Sequence, residues 1–458
     1  MADVHLSNTD SFTVHQEQDP LFRSTIVAVV LLDRTPDWER LCAAIDRATR
    51  LEPNFRRRLI PGNGPLVPAR WVDDPAFDLS WHLRRVAVPA PHDVATVLDF
   101  ARIAGMTAFD PIRPRWEFTI MEGMHDDGAA LVMKVHHALT DGIGGIQLAM
   151  HVVDLDRKGS KRRHIPMPPA GPSDDLVERA SDAVTYDLRR LGDAAAGVVR
   201  AVPGVVADWA RHPFGFWGEV GRGVASVGRF VRPITTTLSP VMTHRRLGWR
   251  YQTLVVPLEP LKSVAKMAGG TVNDGFLAGL AGGLALYHRR HGAGIEELRV
   301  TMPISTRTDG DGPGGNHITL MRFPVPLGDH DPVSRMMEID RTCTELRHEP
   351  AIGWTQAIAG VLNLLPTGVA SGMLKHVDVL ASNVPGFDAP VFIAGARAEE
   401  FFAFGPTLGA SANITLMSYR GQCFMGVTTD TGAVPDPGMF LECLAEGFAE
   451  LLSIYVER

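Results

Sequence analysis

The sequence predicts a mixed α/β protein built as two domains. Its 458 residues exceed the length of a typical single domain, and 45% of them are hydrophobic, enough for two sizeable cores. A basic cluster at 157–164 and a proline-rich stretch at 165–172 then interrupt the chain as an exposed linker does. Strand-like and helix-like patterns occur on both sides of this interruption. We therefore expect an N-terminal domain at 1–160, a linker at 161–245 and a C-terminal domain at 246–458.

The N-terminal domain contains a strand, a turn and a helix around a pair of histidines. Residues 129–135 are apolar and β-branched, which predicts a buried strand, and 142–150 carry apolar residues at helical spacing. The turn between them reads His136-His137-Ala138-Leu139-Thr140-Asp141-Gly142, an HHxxxDG motif. Because side chains alternate along a strand, His136 and His137 should point to opposite faces, and only one imidazole can meet a substrate.

This motif supplies a candidate general base for acyl transfer. A histidine, with an ordinary pKa of about 6.5, can take the proton of an attacking hydroxyl near neutral pH. Asp141 is expected to orient the turn or to balance a buried charge. Simple packing is one alternative, since the chain has 17 histidines. A metal site is another, but the sequence has no HExxH motif and no cysteine pair at ligand spacing, so we predict no metal.

The same residues also fit the His-x4-Asp pattern of membrane-bound glycerolipid acyltransferases. That assignment expects a membrane anchor, and the sequence has no run of about 18 apolar residues.

The linker is expected to be partly helical. Ser173 is a candidate N-cap, and apolar residues follow it at helical spacing as far as Leu191. The stretch 194–233 mixes aromatic and small apolar residues with arginines, which suits either an amphipathic surface at a lipid interface or ordinary packing between domains. The basic cluster is solvated or contacts anionic head groups.

The C-terminal domain alternates strands and helices. We expect helices at 260–267, from 272 onward with Thr271 or Asn273 near the N-cap, and at 439–455. Strands are expected at 251–257, 298–304, 317–325, 377–382, 413–419 and 422–428.

Charge and cysteine usage exclude several classes of protein. A net charge of -7 and a pI near 6.2 argue against a nucleic-acid partner. The four cysteines are scattered in apolar surroundings, which favours reduced thiols over disulfides. The N-terminus has no basic region followed by an apolar core, so we expect no signal peptide and a cytoplasmic location.

Several ordered motifs together carry a resemblance to a known family. Besides HHxxxDG, they are Leu6-Ser7-x-x-Asp10-x-Phe12, Phe55-Arg56-Arg57-Arg58-Leu59, Phe77-Asp78-Leu79-x-x-His82-Leu83-Arg84, Asn273-Asp274, Pro303-Ile304-Ser305-x-Arg307, Gly315-Asn316, Ser382-Asn383-Val384-Pro385-Gly386 and Val434-Pro435-Asp436-Pro437. Over nearly its whole length the chain resembles the bacterial wax ester synthase/acyl-CoA:diacylglycerol acyltransferase family. That family is similar to chloramphenicol acetyltransferase, carnitine acyltransferases and condensation domains. The resemblance therefore implies two chloramphenicol-acetyltransferase-like mixed-sheet domains with a tunnel between them.

The resemblance also implies roles for individual residues. His137 would be the general base, with His136 and Asp141 as positioning residues, the aspartate paired with an arginine. Gly142 would let the helix start close to the strand. The remaining motif residues, Asn273, Asp274, Ser382 and Asn383, would support the site, with three of them as candidate oxyanion donors: Asn273, Ser382 and Asn383. Two alternatives stay open, a helix cap at 273–274 and a tight turn at 382–386.

The implied reaction moves a long-chain acyl group from acyl-CoA, a substrate rather than a cofactor, to a lipid hydroxyl. Diacylglycerol as acceptor gives triacylglycerol, and a long-chain alcohol gives a wax ester. We expect no cofactor, and peripheral contact with the inner membrane face or lipid inclusions. The alternatives are a related acyltransferase for a glycolipid, polyketide or carrier-bound substrate, and a non-catalytic lipid-binding protein of the same fold.

Two departures from the family pattern concern acceptor choice and tunnel shape. Arg115 in Pro114-Arg115-Trp116 stands where the family usually has leucine, and Phe387 stands where a second proline is common. Neither is expected to touch the base.

Overall fold

Two large β-sheets organise the protein. The computed structural model describes residues 5–61, 68–140, 142–160, 162–169, 171, 236–305, 318–328, 331–347 and 376–456. Within these ranges one sheet has seven strands, the other has six, and a two-stranded ribbon packs into the core of the first. The predicted mixed α/β class with two sheet-containing domains is confirmed.

The N-terminal half alternates helices and strands up to the motif and just beyond it. In chain order the elements are α1 (Asn8–Gln16), β1 (Thr25–Leu32), α2 (Trp38–Leu51), β2 (Arg57–Ile60), β3 (Arg70–Asp73), α3 (Leu79–His82), β4 (Leu83–Ala87), α4 (Val94–Met106), β5 (Trp116–Glu122), β6 (Ala129–His136), α5 (Gly142–Ala149) and β7 (Val153–Asp154).

The C-terminal half contains the second sheet and its helices. Its elements are β8 (Trp249–Pro257), α6 (Leu258–Met267), α7 (Val272–Arg290), β9 (Glu297–Ser305), β10 (Ile318–Pro326), α8 (Pro332–Arg347), β11 (Val379–Val384), β12 (Phe392–Ile393), β13 (Ala396–Phe404), β14 (Ala412–Tyr419), β15 (Gln422–Asp430) and α9 (Pro437–Val456).

The predicted strand and helix around the motif are confirmed, as are the predicted strands and helices after residue 250, with small shifts at their ends. Among the described residues after 250, three elements were not predicted, namely α8, β12 and β13. The predicted helix after Ser173 and the stretch 194–233 lie outside the described residues.

The first sheet has the strand order β4-β5-β6-β1-β13-β12-β7. Strand β6, which leads into the motif, is central and pairs antiparallel with both β5 and β1. Strands β13 and β12 belong to the C-terminal half of the sequence, yet β13 pairs antiparallel with β1. The first sheet therefore contains two strands from the C-terminal half of the sequence. Its strands cross the domain boundary that we expected at residue 246.

The second sheet has the order β10-β9-β11-β14-β15-β8 and is covered on one face by helices. Helices α7 and α9 cross very closely there, because glycines stand at the contact. A Cβ atom on Gly283 would lie 2.6 Å from the Cα of Leu444, and one on Gly447 would lie 2.7 Å from the Cα of Gly283. These distances leave no room for side chains at the crossing.

The two sheets meet at β13, a strand of the first sheet. Tyr251 of β8 stacks on Phe404 of β13, with ring centroids 4.2 Å apart and nearly parallel planes. Gly426 of β15 is also in contact with this strand, since a Cβ atom there would collide with the carbonyl of Ala403. The second sheet thus packs directly on a strand of the first sheet.

Two features of the described residues bear on the expected class of protein. None of their helices has both the length and the apolar character needed to cross a membrane. All four cysteines are free thiols, and three of them are buried: Cys343, Cys423 and Cys443.

Candidate active site

The paired histidines lie at the end of β6. The backbone N–H of His136 donates to Arg115 O (3.0 Å), and that of His137 donates to Ser24 O (2.9 Å). Because Thr25 is the partner of His136 in the β1–β6 register, the bond to Ser24 continues that register by one residue. The side chain of His137 therefore shares a face with Val135, and His136 lies on the opposite face.

His136 is fully buried and its tautomer follows from its contacts. The amide N–H of Ala138 donates to Nδ1 at 3.0 Å, so Nδ1 carries a lone pair. The proton must then be on Nε2, which lies 3.0 Å from Oε2 of Glu17. His136 is thus a neutral imidazole that donates to a carboxylate. The Arg115 guanidinium is 3.2 Å from the same Nε2, but two donors cannot bond each other.

Glu17 collects three donors. Besides Nε2 of His136, the amide of Ser24 donates to Oε1 at 2.7 Å and Arg115 Nη1 lies 3.3 Å from Oε2. Burial alone raises the pKa of the Glu17 carboxyl, but the hydrogen bonds from His136 and the Ser24 amide and the charge of the Arg115 guanidinium outweigh it and hold that pKa below its ordinary 4.5. The carboxylate is therefore ionised at neutral pH.

The opening motif delivers Glu17 to this position. Ser7 is the N-cap of α1, its hydroxyl accepting from the amide of Asp10 at 3.0 Å and donating to the Asp10 carboxylate at 2.8 Å. Glu17 is the residue that ends the same helix. The N-cap at Ser7 thus fixes where α1 begins, and the other end of the helix brings Glu17 to His136.

Two further motifs converge on Trp116, the β5 residue opposite Val135. The indole N–H donates to the Phe55 carbonyl at 2.8 Å. His82 stacks on the indole with centroids 4.6 Å apart, and its Nδ1 lies 2.7 Å from Trp116 O. Burial lowers the pKa of His82, with the Trp116 carbonyl opposing it, so the ring is neutral and donates from Nδ1. These motif residues stabilise the strand beside β6.

The face of β6 that carries His137 is apolar and partly open. Ile26 of β1 pairs with Val135, and Ala28 pairs with Met133, so all four side chains share that face. Each of the four is partly exposed although β6 and β1 are flanked by strands on both sides. We name these residues the apolar strip. His137, which is itself half-buried, follows at its end.

The predicted supporting residues of the second domain fall into two groups. Asp274 is a cap, because its carboxylate accepts from the backbone N–H of Thr271 at 2.7 Å and from the Thr271 hydroxyl at 2.6 Å. Asn273 is half-buried and its amide contacts the sulfur of Met302 at 3.4 Å. Of the two residues, Asp274 is therefore the helix cap, whereas the side chain of Asn273 lies against β9.

Ser382 and Asn383 lie within β11, not in a turn, so the tight-turn alternative is wrong for both. Alternation along β11 puts Asn383 on the face of Val379 and Ala381, which belong to the helix-covered core. Ser382 lies on the other face with Val384, a residue of the first domain's core. Gly142 begins α5, and Asp141 lies outside the described residues.

Sequence reasoning missed Glu17, Ser24 and the contact of Arg115 with the histidine pair. The only signal available was the arginine itself, which stands where leucine is usual. Within the described ranges no group of three or more His, Cys, Asp or Glu side chains could hold a metal ion.

Two family descriptions match the chain. The wax ester synthase/diacylglycerol acyltransferase catalytic domain matches residues 8–276, and the WS/DGAT C-terminal domain matches residues 314–452. A Mycobacterium tuberculosis protein named as a diacylglycerol O-acyltransferase is 35% identical over 444 residues, which cover 96% of this chain and 89% of that protein. The O-acyltransferase WSD of Acinetobacter baylyi is 25% identical, with 82% and 81% covered.

Solved structures agree on the fold. The wax ester synthase/diacylglycerol acyltransferase of Marinobacter aquaeolei superposes with a TM-score of 0.63 at 21% identity and covers 98% of each chain. The first condensation domain of the calcium-dependent antibiotic synthetase gives a TM-score of 0.63 at 14% identity, covering 98% of this chain and 96% of the other. The protein belongs to the wax ester synthase/diacylglycerol acyltransferase family and is an acyltransferase.

Proposed function

We propose that the protein transfers a long-chain acyl group from acyl-CoA to the hydroxyl of diacylglycerol or of a long-chain alcohol, with His137 as the general base. The observation that carries this proposal is the apolar strip that ends at His137. A hydrocarbon chain lying along Ile26, Ala28, Met133 and Val135 is removed from water, at about 0.8 kcal/mol per buried CH₂. Its reactive end then lies beside the imidazole. The names of the Mycobacterium and Acinetobacter relatives support an O-acyl transfer.

The reaction needs one base and no covalent enzyme intermediate. Neutral His137 takes the proton of the acceptor hydroxyl as its oxygen attacks the thioester carbon. The tetrahedral intermediate collapses by breaking the C–S bond, and the departing thiolate takes the proton from the imidazolium. The products are an ester and free CoA. Asn273 and Ser382 are the proposed donors to the oxyanion, whereas Asn383 lies on the face of β11 toward the helix-covered core. Asp141 and Gly142 are proposed to shape the turn that holds the base.

Ester formation and CoA release by the purified protein test this proposal. Diacylglycerol and hexadecanol are compared as acceptors for wild type and for His137→Ala. Loss of a general base is expected to lower kcat by about 10²- to 10⁴-fold. His151→Ala is the matched control, a half-buried histidine in the turn that follows α5, and should keep wild-type activity. CoA release by His137→Ala at the wild-type rate contradicts the assignment of the base.

We also propose that the protein acts at the surface of lipid inclusions or of the inner membrane. Trp81 and Ile112 are exposed, at 42% and 61%, and Arg113 lies 4.4 Å from the centre of the Trp81 ring. An indole beside a guanidinium suits the boundary between lipid and water. Co-flotation with triacylglycerol emulsions tests this, and Trp81→Ser with Ile112→Ser should weaken it. Equal flotation of wild type and double variant contradicts the proposal.

A further inference from the structure

Glu17 occupies a position that is unfavourable for a carboxylate. It ends α1, where the helix dipole places a partial negative charge, and only 19% of its side chain is exposed. Such a group costs stability unless donors surround it. The donors that surround Glu17 lead directly to the histidine pair.

Two of these donors connect Glu17 to both histidines. One oxygen accepts from the ring of His136, and the other accepts from the amide of Ser24. The carbonyl of Ser24 in turn accepts the backbone N–H of His137. A single carboxylate thus orients the ring of one histidine and fixes the main chain of the next. Glutamine cannot replace it, because only one of its two terminal atoms accepts a hydrogen bond.

Arg115 is the third donor and the counterion. Its guanidinium lies 3.3 Å from Glu17, and only 16% of its side chain is exposed. Its own carbonyl accepts the backbone N–H of His136, so the arginine is fixed to the same strand end. Where the family usually has leucine, this chain therefore places the positive charge that balances Glu17.

We propose that Glu17 is a positioning residue for acyl transfer and that Arg115 is its counterion, together holding His136 and the His137 backbone in the reactive arrangement. This rests on the proposed function, in which His137 is the base. Misplacing a reacting group by about 1 Å can cost about 100-fold in rate. Substrate contacts are untouched, so the loss should appear in kcat and not in KM.

The kinetic test compares Glu17→Gln with Asp33→Asn in the acyl-CoA assay. Asp33 is the matched control, since it also accepts a backbone amide, from Arg397 at 2.8 Å, and pairs with Arg157, but at the other end of β1. We expect Glu17→Gln to lower kcat about 10- to 100-fold with KM within about twofold, and Asp33→Asn to keep wild-type kcat. Equal kcat losses in the two variants, or wild-type kcat in Glu17→Gln, overturn the proposal.

A second variant and a second readout keep the proposal testable if Glu17→Gln does not fold or if wild type has no turnover. Arg115→Leu should also lower kcat at unchanged KM, and wild-type kcat in this variant removes the counterion role. Histidine ¹⁵N shifts report the tautomer without any substrate. We expect His136 to be protonated on Nε2 in wild type, and the opposite tautomer overturns the positioning role. Absence of turnover in a wild type with the expected tautomer contradicts only the proposed function.

Discussion

Replacing Gly447 by alanine should destabilise the second domain, because no side chain fits where α9 crosses α7. An added Cβ atom would lie 2.7 Å from both Gly279 O and the Cα of Gly283. Both neighbours are backbone atoms, so no side chain can rotate away. The helices must separate along a contact that also includes Leu444, whose Cα would be 2.6 Å from a Cβ atom on Gly283.

The expected size of the effect follows from two opposing contributions. Overpacking of a close contact costs about 1–3 kcal/mol. Alanine in place of glycine within a helix returns up to about 1 kcal/mol. Because the atoms that the Cβ atom meets are backbone atoms, we expect the upper part of the overpacking range, about 2–3 kcal/mol, and therefore a net loss of about 1–2 kcal/mol for Gly447→Ala. Gly438→Ala is the matched control in the same helix, since a Cβ atom there meets nothing within 4 Å, and it should leave stability unchanged or slightly raised.

Calorimetry of the two variants measures this difference. For domains of 150–250 residues each kcal/mol shifts Tm by about 2–4 °C, so Gly447→Ala should melt a few degrees below Gly438→Ala. Urea midpoints should differ in the same order. The reasoning about the helix crossing is refuted if Gly447→Ala melts at or above the temperature of Gly438→Ala.

Three further predictions concern the first domain and its contact with the second. The pKa of Glu17 is lowered in the folded state, so the stability that its carboxylate contributes is complete above the ordinary pKa of 4.5 and is lost as pH falls through the lower pKa of the folded state. The urea midpoints of wild type and Glu17→Gln should therefore converge as pH drops below 4.5. Gly426→Ala should lower the free energy of unfolding by about 1–3 kcal/mol, because the added Cβ atom would collide with Ala403 O. Thermal unfolding measures this against Gly294→Ala, whose Cβ atom meets nothing within 4 Å. Tyr251→Phe should be neutral or should stabilise by about 1 kcal/mol in urea unfolding, because its buried hydroxyl has no partner among the described residues; a loss of more than about 1 kcal/mol contradicts this.

The elements around the motif were predictable because local sequence determines them. Residues 129–135 are apolar and β-branched, and the structure makes β6 of them with one more residue, His136. The helix from Gly142 begins where the glycine of HHxxxDG stands. Strand alternation also predicts that the two histidines diverge, and the hydrogen bond from His137 to Ser24 keeps that alternation to the end of the motif.

Strand β13 was not predictable because its partners are distant in sequence. Its residues Ala396–Phe404 contain Arg397, Glu399 and Glu400, which break the apolar pattern of a buried strand. The strand forms because it pairs antiparallel with β1, in a register in which Val30 is the partner of Phe401. Such a pairing has no signature within either segment.

Glu17 was missed for the same reason, and Arg115 was noticed only as a departure. The sequence gives no sign that the end of α1 reaches the end of β6, since the contact depends on how the loop at Ser24 brings the two together. A carboxylate at a helix C-terminus is a weak local signal that a cation lies nearby. Here Arg115 provides it.

The contacts of the two histidines explain why the motif contains a pair. His136 uses both ring nitrogens internally, accepting from Ala138 and donating to Glu17, so it has no free nitrogen with which to act on a substrate. His137 is the next residue after β6 and therefore lies on the face that carries the apolar strip. A flexible turn would leave a single histidine free to rotate, whereas an anchored ring beside it fixes the backbone from which the second projects. The first histidine thus contributes rigidity, and the second is the residue that we propose as the base.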